Sequence, residues 1–209
     1  MSFIRRNWNL GNLIVVLGVV GLVVTLWVPY ITAGRVARIE RNAEDHARAL
    51  LAATLDAAEG AWDPQATGAV GDLASRVPQV AAVPPDAGRT GLPAGLYFES
   101  KHYLYSVFTR GPDDQIGDDT AAPPAFEVFA WPRSYLGPGR SAFYFPAGGR
   151  PAYTRNLKSA YQGFGAPPQP GEGRPREDGL SEPDYGYHDR LDERWLWLER
   201  PAPPAASGG

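Results

Sequence analysis

VARIERNAEDHARALLAATLDAA, residues 36–58, decides how the rest of the chain is read. Val36, Ile39, Ala43, Ala47, Leu50 with Leu51, Leu55 and Ala58 recur at steps of three and four. A helix turns about every 3.6 residues, so this spacing gathers the apolar side chains into one stripe. Arg38, Arg41, Glu44, Asp45 and Arg48 mostly fall on the other faces, and Glu44 and Arg48 stand as an i,i+4 ion pair. Gly60 is the stop. A helix with one apolar stripe needs a surface to lie on, and the flanking sequence says what lies on either side of it.

Upstream, no charged residue occurs from Leu13 to Ala33. At about 1.5 Å per residue the run is about 30 Å long, the thickness of a bilayer core. The expected order is a cytoplasmic leader over 1–12, a transmembrane helix over 13–34 and an amphipathic continuation over 35–60. Trp8 suits an interfacial belt at one end, Trp27 and Tyr30 at the other. Gly18, Gly21 and Thr25 lie on adjoining turns and would let another helix approach closely, although glycine is also simply common in membrane helices. Pro29 removes a backbone donor and is expected to kink the helix. Arg5 and Arg6 precede the run; Arg35, Arg38 and Arg41 follow it, mixed with Glu40 and Glu44. A short N-terminal tail stays inside, which gives a single-pass protein of a bacterial inner membrane with its C-terminal domain outside. The competing reading is a cleaved secretory signal, with Thr32, Ala33 and Gly34 at the cut; its apolar core is normally about 7–15 residues, shorter than this run.

Downstream, 61–95 is a connector rich in Ala, Gly and Pro, with a short helix over Asp72–Val80 and loop signals at Pro84, Pro85, Gly88, Gly91 and Pro93. LYFESKHYLYSVF, residues 96–108, is aromatic and β-branched, the composition of strands. Tyr103, Tyr105 and Val107 alternate with Leu104, Ser106 and Phe108, so both faces of that strand should be partly covered. Phe126–Trp131 and Ser141–Phe145 are further strands, and local strands joined by short loops form an antiparallel sheet over 96–165. The fold class expected is α+β: a long N-terminal transmembrane and amphipathic helix packed on a small antiparallel sheet, with a loop-rich tail. The tail, 166–209, is rich in Pro and Gly and should be largely mobile. Its aromatic patch, Trp195–Leu198, either docks as a last strand or turn or binds a partner.

The chemistry is sparse. RGPDDQIGDD, residues 110–119, sets Asp113, Asp114, Asp118 and Asp119 among glycines. Calcium takes six to eight oxygen ligands on flexible loops, so these four acids are either a calcium site or a solvated acidic turn. His46, His102 and His188 share no metal-ligand spacing, and His46 reads as a solvated or capping residue of the helix. Ser106, His102 and Asp113 could be drawn as a triad, but no GxSxG elbow surrounds the serine. Residues 153–165, with Tyr153, Arg155 and Lys158, read as a surface loop or as a partner contact, the role also open to Trp195 and Trp197. There is no cysteine, no phosphate loop, no dinucleotide fingerprint and no evident small-molecule substrate. A net charge of -3 gives no reason to expect nucleic acid.

The N-terminal stretch resembles type IV pilins and the pseudopilins of type II secretion systems, in which an apolar helix carrying a proline continues as an amphipathic half into the outer domain. Aligned on Pro29, the mature family N-terminus falls at Trp8, where the family has Phe, and Asn9-Leu10 follow where it has Thr-Leu. The chain departs at Asn7, where the family's leader is cut after glycine, and at Asn12, where the family has a glutamate that pairs with a neighbour's amine. Tyr105-Ser106-Val107 followed by Gly111-Pro112-Asp113 resembles the order around the calcium loop of major pseudopilins. The resemblance implies a non-enzymatic structural or assembly component of a type II secretion or type IV pilus-like system. Asn12, Gly18, Gly21, Thr25 and Pro29 would be its packing residues, membrane lipid and pilin-like siblings or secretion-apparatus proteins its partners, and calcium, if the acidic loop is a site and not a solvated turn, the one cofactor to expect. The alternative, favoured by Asn7 and Asn12, is a membrane-tethered extracytoplasmic binding or sensing module that does not polymerise.

Overall fold

The computed structural model describes residues 10–60, 63–64, 66, 68–84, 92–110, 125–134, 137–173, 185–187 and 194–198. Within these, the side chains of 10, 12, 24, 26, 29, 110, 125, 185–187 and 194 lie outside the description. Helix α1 spans Leu10–Glu59. The chain forms two compact units, Met1–Arg38 and Ile39–Gly209.

In the first unit the side chains of α1 are exposed on every side: Ile14, Leu17, Leu22, Trp27 and Ile31 are all more than half accessible. Thr25 and Thr32 donate their hydroxyls to the carbonyls of Gly21 and Val28, both at 2.8 Å, so each polar group is satisfied within its own helix. Among the described residues no helix is long and apolar enough to cross a membrane. The expected span over 13–34 is therefore corrected, and with it the inner-membrane placement and the cytoplasmic N-terminus.

The second unit is built on one eight-stranded antiparallel sheet, ordered β1-β2-β3-β4-β5-β6-β8-β7. Its strands are β1 (Ala81–Ala82), β2 (Leu96–Glu99), β3 (Tyr103–Arg110), β4 (Ala125–Pro132), β5 (Ala142–Pro146), β6 (Ala152–Thr154), β7 (Tyr185–Tyr187) and β8 (Arg194–Trp197). The longest pair, β3 with β4, runs from Tyr103 opposite Pro132 to Arg110 opposite Ala125. The expected small sheet over 96–165 is thus corrected as well. Ala81–Ala82 in the connector pairs with β2 at one edge. At the other edge β8 pairs with β6 on one side and β7 on the other, and β7 and β8 are both drawn from the supposed tail. Sequence hides these strands because alanine carries no β-forming signal and the tail's composition is dominated by Pro and Gly.

Side chains alternate across the sheet, so each strand feeds two cores. On one face Phe98, Tyr103, Tyr105, Val107, Phe126, Val128, Phe143 and Phe145 pack under Ala43, Ala47, Leu50 and Ala57 of α1. Small residues on the helix opposite large rings on the strands let the two layers interdigitate at native density. Thr54, fully buried on the same line, returns its hydroxyl to the carbonyl of Leu50 at 2.7 Å. A short helix α2 (Ala69–Arg76) adds Leu73, and the turn after it adds Val77 and Val80. It starts three residues before the expected Asp72, which lies in its first turn and suits the positive end of the helix dipole. The opposite face carries Tyr97, Leu104, Phe108, Phe129, Trp131 and Tyr144, covered by Val83, Tyr161 and Trp195. Glu127, also on this face and buried, accepts the Tyr144 hydroxyl at 2.9 Å and the Gly171 amide at 2.8 Å, which ties the residues after β6 to the sheet.

Candidate functional site

Two clusters of polar side chains stand out in the second unit. In the first, α1 is fastened to the sheet. Oε1 of Glu40 accepts the Arg140 amide at 3.1 Å, the Ser141 amide at 3.0 Å and the Ser141 hydroxyl at 2.9 Å. The Ser141 carbonyl in turn accepts the Tyr103 hydroxyl at 3.0 Å. Two turns along, Nδ1 of His46 lies 3.1 Å from the Tyr105 hydroxyl, which lies 3.2 Å from the Ser100 hydroxyl. Burial pushes Tyr105 up to about 12, against the Ser100 hydrogen bond, and raises Tyr103 further with help from Glu40 and Tyr105. Burial also holds the His46 imidazole below its usual range, although Asp45 pulls it upward. Arg48 pairs with Glu44 at 2.9 Å, and its guanidinium lies over the Phe145 ring.

The sign of the His46 shift fixes a pH dependence. The unfolded chain takes up the proton more readily than the folded one, so stability is complete above pH ~6.5, declines as pH falls through that value and levels off below the lowered pKa. Urea midpoints of the wild type and His46→Gln, measured from pH 8 to pH 5, should converge as pH falls; two curves of the same shape would remove His46 as the cause.

The second cluster is the turn after β6. Asn156 and Ser159 hold positive φ, 50° and 57°, a region that few residues other than glycine enter. Asn156 is kept there by its own side chain: Nδ2 donates to the Tyr161 carbonyl at 2.7 Å, and Oδ1 accepts the Tyr161 amide at 3.0 Å. Its amide donates to the Thr154 hydroxyl at 3.2 Å, and its carbonyl accepts the Ser159 amide at 3.1 Å. Beside this turn a recess of about 260 Å³ is lined by residues including Pro132, Gly137, Arg140, Asn156, Leu157 and Gln162. Gly139 also borders it, at a place where a Cβ would strike the Tyr103 ring, so the loop can close only on glycine.

The residues singled out from sequence separate. Asp113, Asp114, Asp118 and Asp119 lie outside the described residues, as do the side chains of Asn12 and Pro29. Among the described residues no group of three or more metal-ligating side chains comes together. Gly18, Gly21 and Thr25 lie on the exposed helix, and a Cβ at either glycine would meet only open space. Tyr153 is half-buried in β6, whereas Arg155 and Lys158 are exposed on the Asn156 turn. Trp195 is fully buried between Phe129, Tyr144 and Tyr161, so it is docked rather than offered to a partner. Trp197 is half-buried beneath the Arg150 guanidinium, 4.7 Å from its ring centre. Ser106 lies inside β3 with its hydroxyl buried and unbonded, far from the exposure that a nucleophile needs. Glu40, Arg140, Asn156 and Tyr161 were missed. Two of them left a trace: Glu40 as a lone acid among arginines, and Asn156 as an Asx residue able to turn the chain after a short β-forming run.

Comparison of the chain with protein-family models, with curated proteins and with solved structures returned no match. The placement in a type II secretion or type IV pilus apparatus and in the periplasm is corrected: no family match supports it, and no described helix spans a membrane.

Proposed function

We propose that this chain is a non-enzymatic structural or assembly component of pilin-like plan, in which the helix of the first unit packs laterally against like helices. The observation that carries the reading is the surface of residues 13–31. Thirteen large apolar side chains there are exposed, from Leu13 at 42% to Tyr30 at 82%, with no charge among them. A helix apolar on all sides is a helix made to be covered, and exposed patches well beyond a few hundred Å² mark interaction surfaces. Gly18 and Gly21 give the closest approach for a second helix, and the hydroxyl of Thr25 is already satisfied within its own turn.

Sedimentation of the intact chain should show discrete oligomers. Gly18→Leu combined with Gly21→Leu should weaken them at least about tenfold, because an overfilled helix contact costs about 1–3 kcal/mol. A chain that stays monomeric, or a double variant that associates as well as the wild type, would refute lateral packing. A second reading, a binding or sensing module that does not polymerise, is favoured by the recess beside Asn156.

A further inference from the structure

We infer that the recess beside the Asn156 turn binds a carboxylate carried on a short apolar stem. The inference rests on the second unit alone and stands whether or not the helix of the first unit assembles. At about 260 Å³ the recess falls just below the usual range for small-molecule pockets, room for one side chain or a small acid.

Its lining has two characters. Pro132 and Leu157 are apolar, and Leu157 is an aliphatic side chain 73% exposed at the rim. Arg140 supplies the cation, and Arg155 and Lys158 stand exposed on the same turn as Leu157. None of the described residues that line the recess is acidic. A guanidinium presents parallel donors that match the two oxygens of a carboxylate, and such charge-assisted pairs outlast neutral ones. Gln162 has its backbone amide and carbonyl both paired with Ala166, so its side-chain amide is the group it can offer a ligand.

The wall is built before any ligand arrives. Asn156 and Ser159 are the two residues other than glycine found at positive φ among the described residues, and both belong to this one turn. Backbone held in a costly conformation clusters where function requires it, and the paired bonds between Asn156 and Tyr161 are what hold it here. A preformed wall spares the ordering cost that a mobile loop would charge against binding.

The carboxylate could come from a free small acid or from the C-terminus of a peptide, and one titration separates the two. Amide resonances of the intact chain are followed as glutarate, its neutral diamide, the peptide Ala-Ala-Leu and its C-terminal amide are added. The amides of Gly137, Gly139, Asn156 and Leu157 should move saturably with an acid and not with its neutral counterpart. Saturation by glutarate identifies free acids; saturation by the peptide alone identifies a chain terminus. Arg140→Gln should weaken binding at least about tenfold, the loss expected for one charge-assisted bond. It is Arg140's backbone amide that holds Glu40, so this variant keeps the fastening of α1, and an unchanged melting midpoint verifies the fold. Leu157→Ser, at an exposed position, should weaken the stem's contact without touching the charge. The inference is overturned if neither acid saturates by roughly 20 mM, a concentration weaker than any specific site. It is overturned equally if the neutral forms bind as well as the acids, or if a folded Arg140→Gln variant binds unchanged.

Discussion

Trp195→Ala should destabilise the second unit by about 3–5 kcal/mol, the cost of emptying a fully buried aromatic site. The indole is wholly inaccessible, with ring centres of Tyr161, Phe129 and Tyr144 at 5.5, 6.0 and 6.3 Å. Its Nε1 donates to the Tyr161 hydroxyl at 3.3 Å, a long and therefore minor bond beside the packing. Removing the ring also undercuts β8, the strand that joins β6 to β7. For a unit of this size the melting midpoint should fall by roughly 6–20 °C. Trp197→Ala supplies the contrast. That ring lies two residues on, on the same face of the strand, but is only half-buried, with Arg150 stacked on it, and its loss should cost only about 1–2 kcal/mol. Urea unfolding of the two variants decides the matter. If Trp195→Ala costs less than about 1 kcal/mol, the segment 194–198 is not part of the core.

The strands that sequence revealed are those that read as strands by themselves. Leu96–Phe108 became β2 and β3, and Phe126–Trp131 and Ser141–Phe145 lie largely within β4 and β5, because aromatic and β-branched residues favour a pleated surface whatever surrounds them. Ala81–Ala82 and Arg194–Trp197 became strands for a different reason: a neighbouring edge was there to pair with, and that is a tertiary fact. The recess was illegible for the same reason. It joins the end of β4, the loop before β5 and the turn after β6, segments that periodicity treats one at a time. Glu40 carried a sign of its own. It interrupts the run of arginines at 35, 38 and 41, and a lone acid there has a reason to exist when it accepts three hydrogen bonds from residues 140 and 141. The apolar run at 13–33 misled by its clarity, since composition alone fixes what a helix will avoid and not what will cover it.

Leu50→Ala should cost about 2–5 kcal/mol, and Leu55→Ala less than about 1 kcal/mol, although hydropathy ranks the two leucines equally. The difference follows from where the helix face lies. The buried positions of α1 are Ala43, Ala47, Leu50, Thr54 and Ala57, steps of four and three that keep one line against the sheet. Leu55 falls beside that line and is 38% exposed, whereas Leu50 is wholly inaccessible within the core that holds Tyr105, Val107 and Phe143. Thr54 takes the place that an apolar count would give to Leu55, because the Leu50 carbonyl satisfies its hydroxyl and so removes the cost of burying it. Leu50 is also the one large aliphatic side chain on that buried line of small residues. Its truncation leaves a cavity between the helix backbone and the hydrogen-bonded sheet, which the small neighbours Ala47 and Thr54 cannot fill. Paired denaturant curves at neutral pH test the ordering. Equal losses for the two leucines would mean that α1 is rotated on the sheet by about a fifth of a turn from the geometry that also brings Glu40 to Ser141 and His46 to Tyr105.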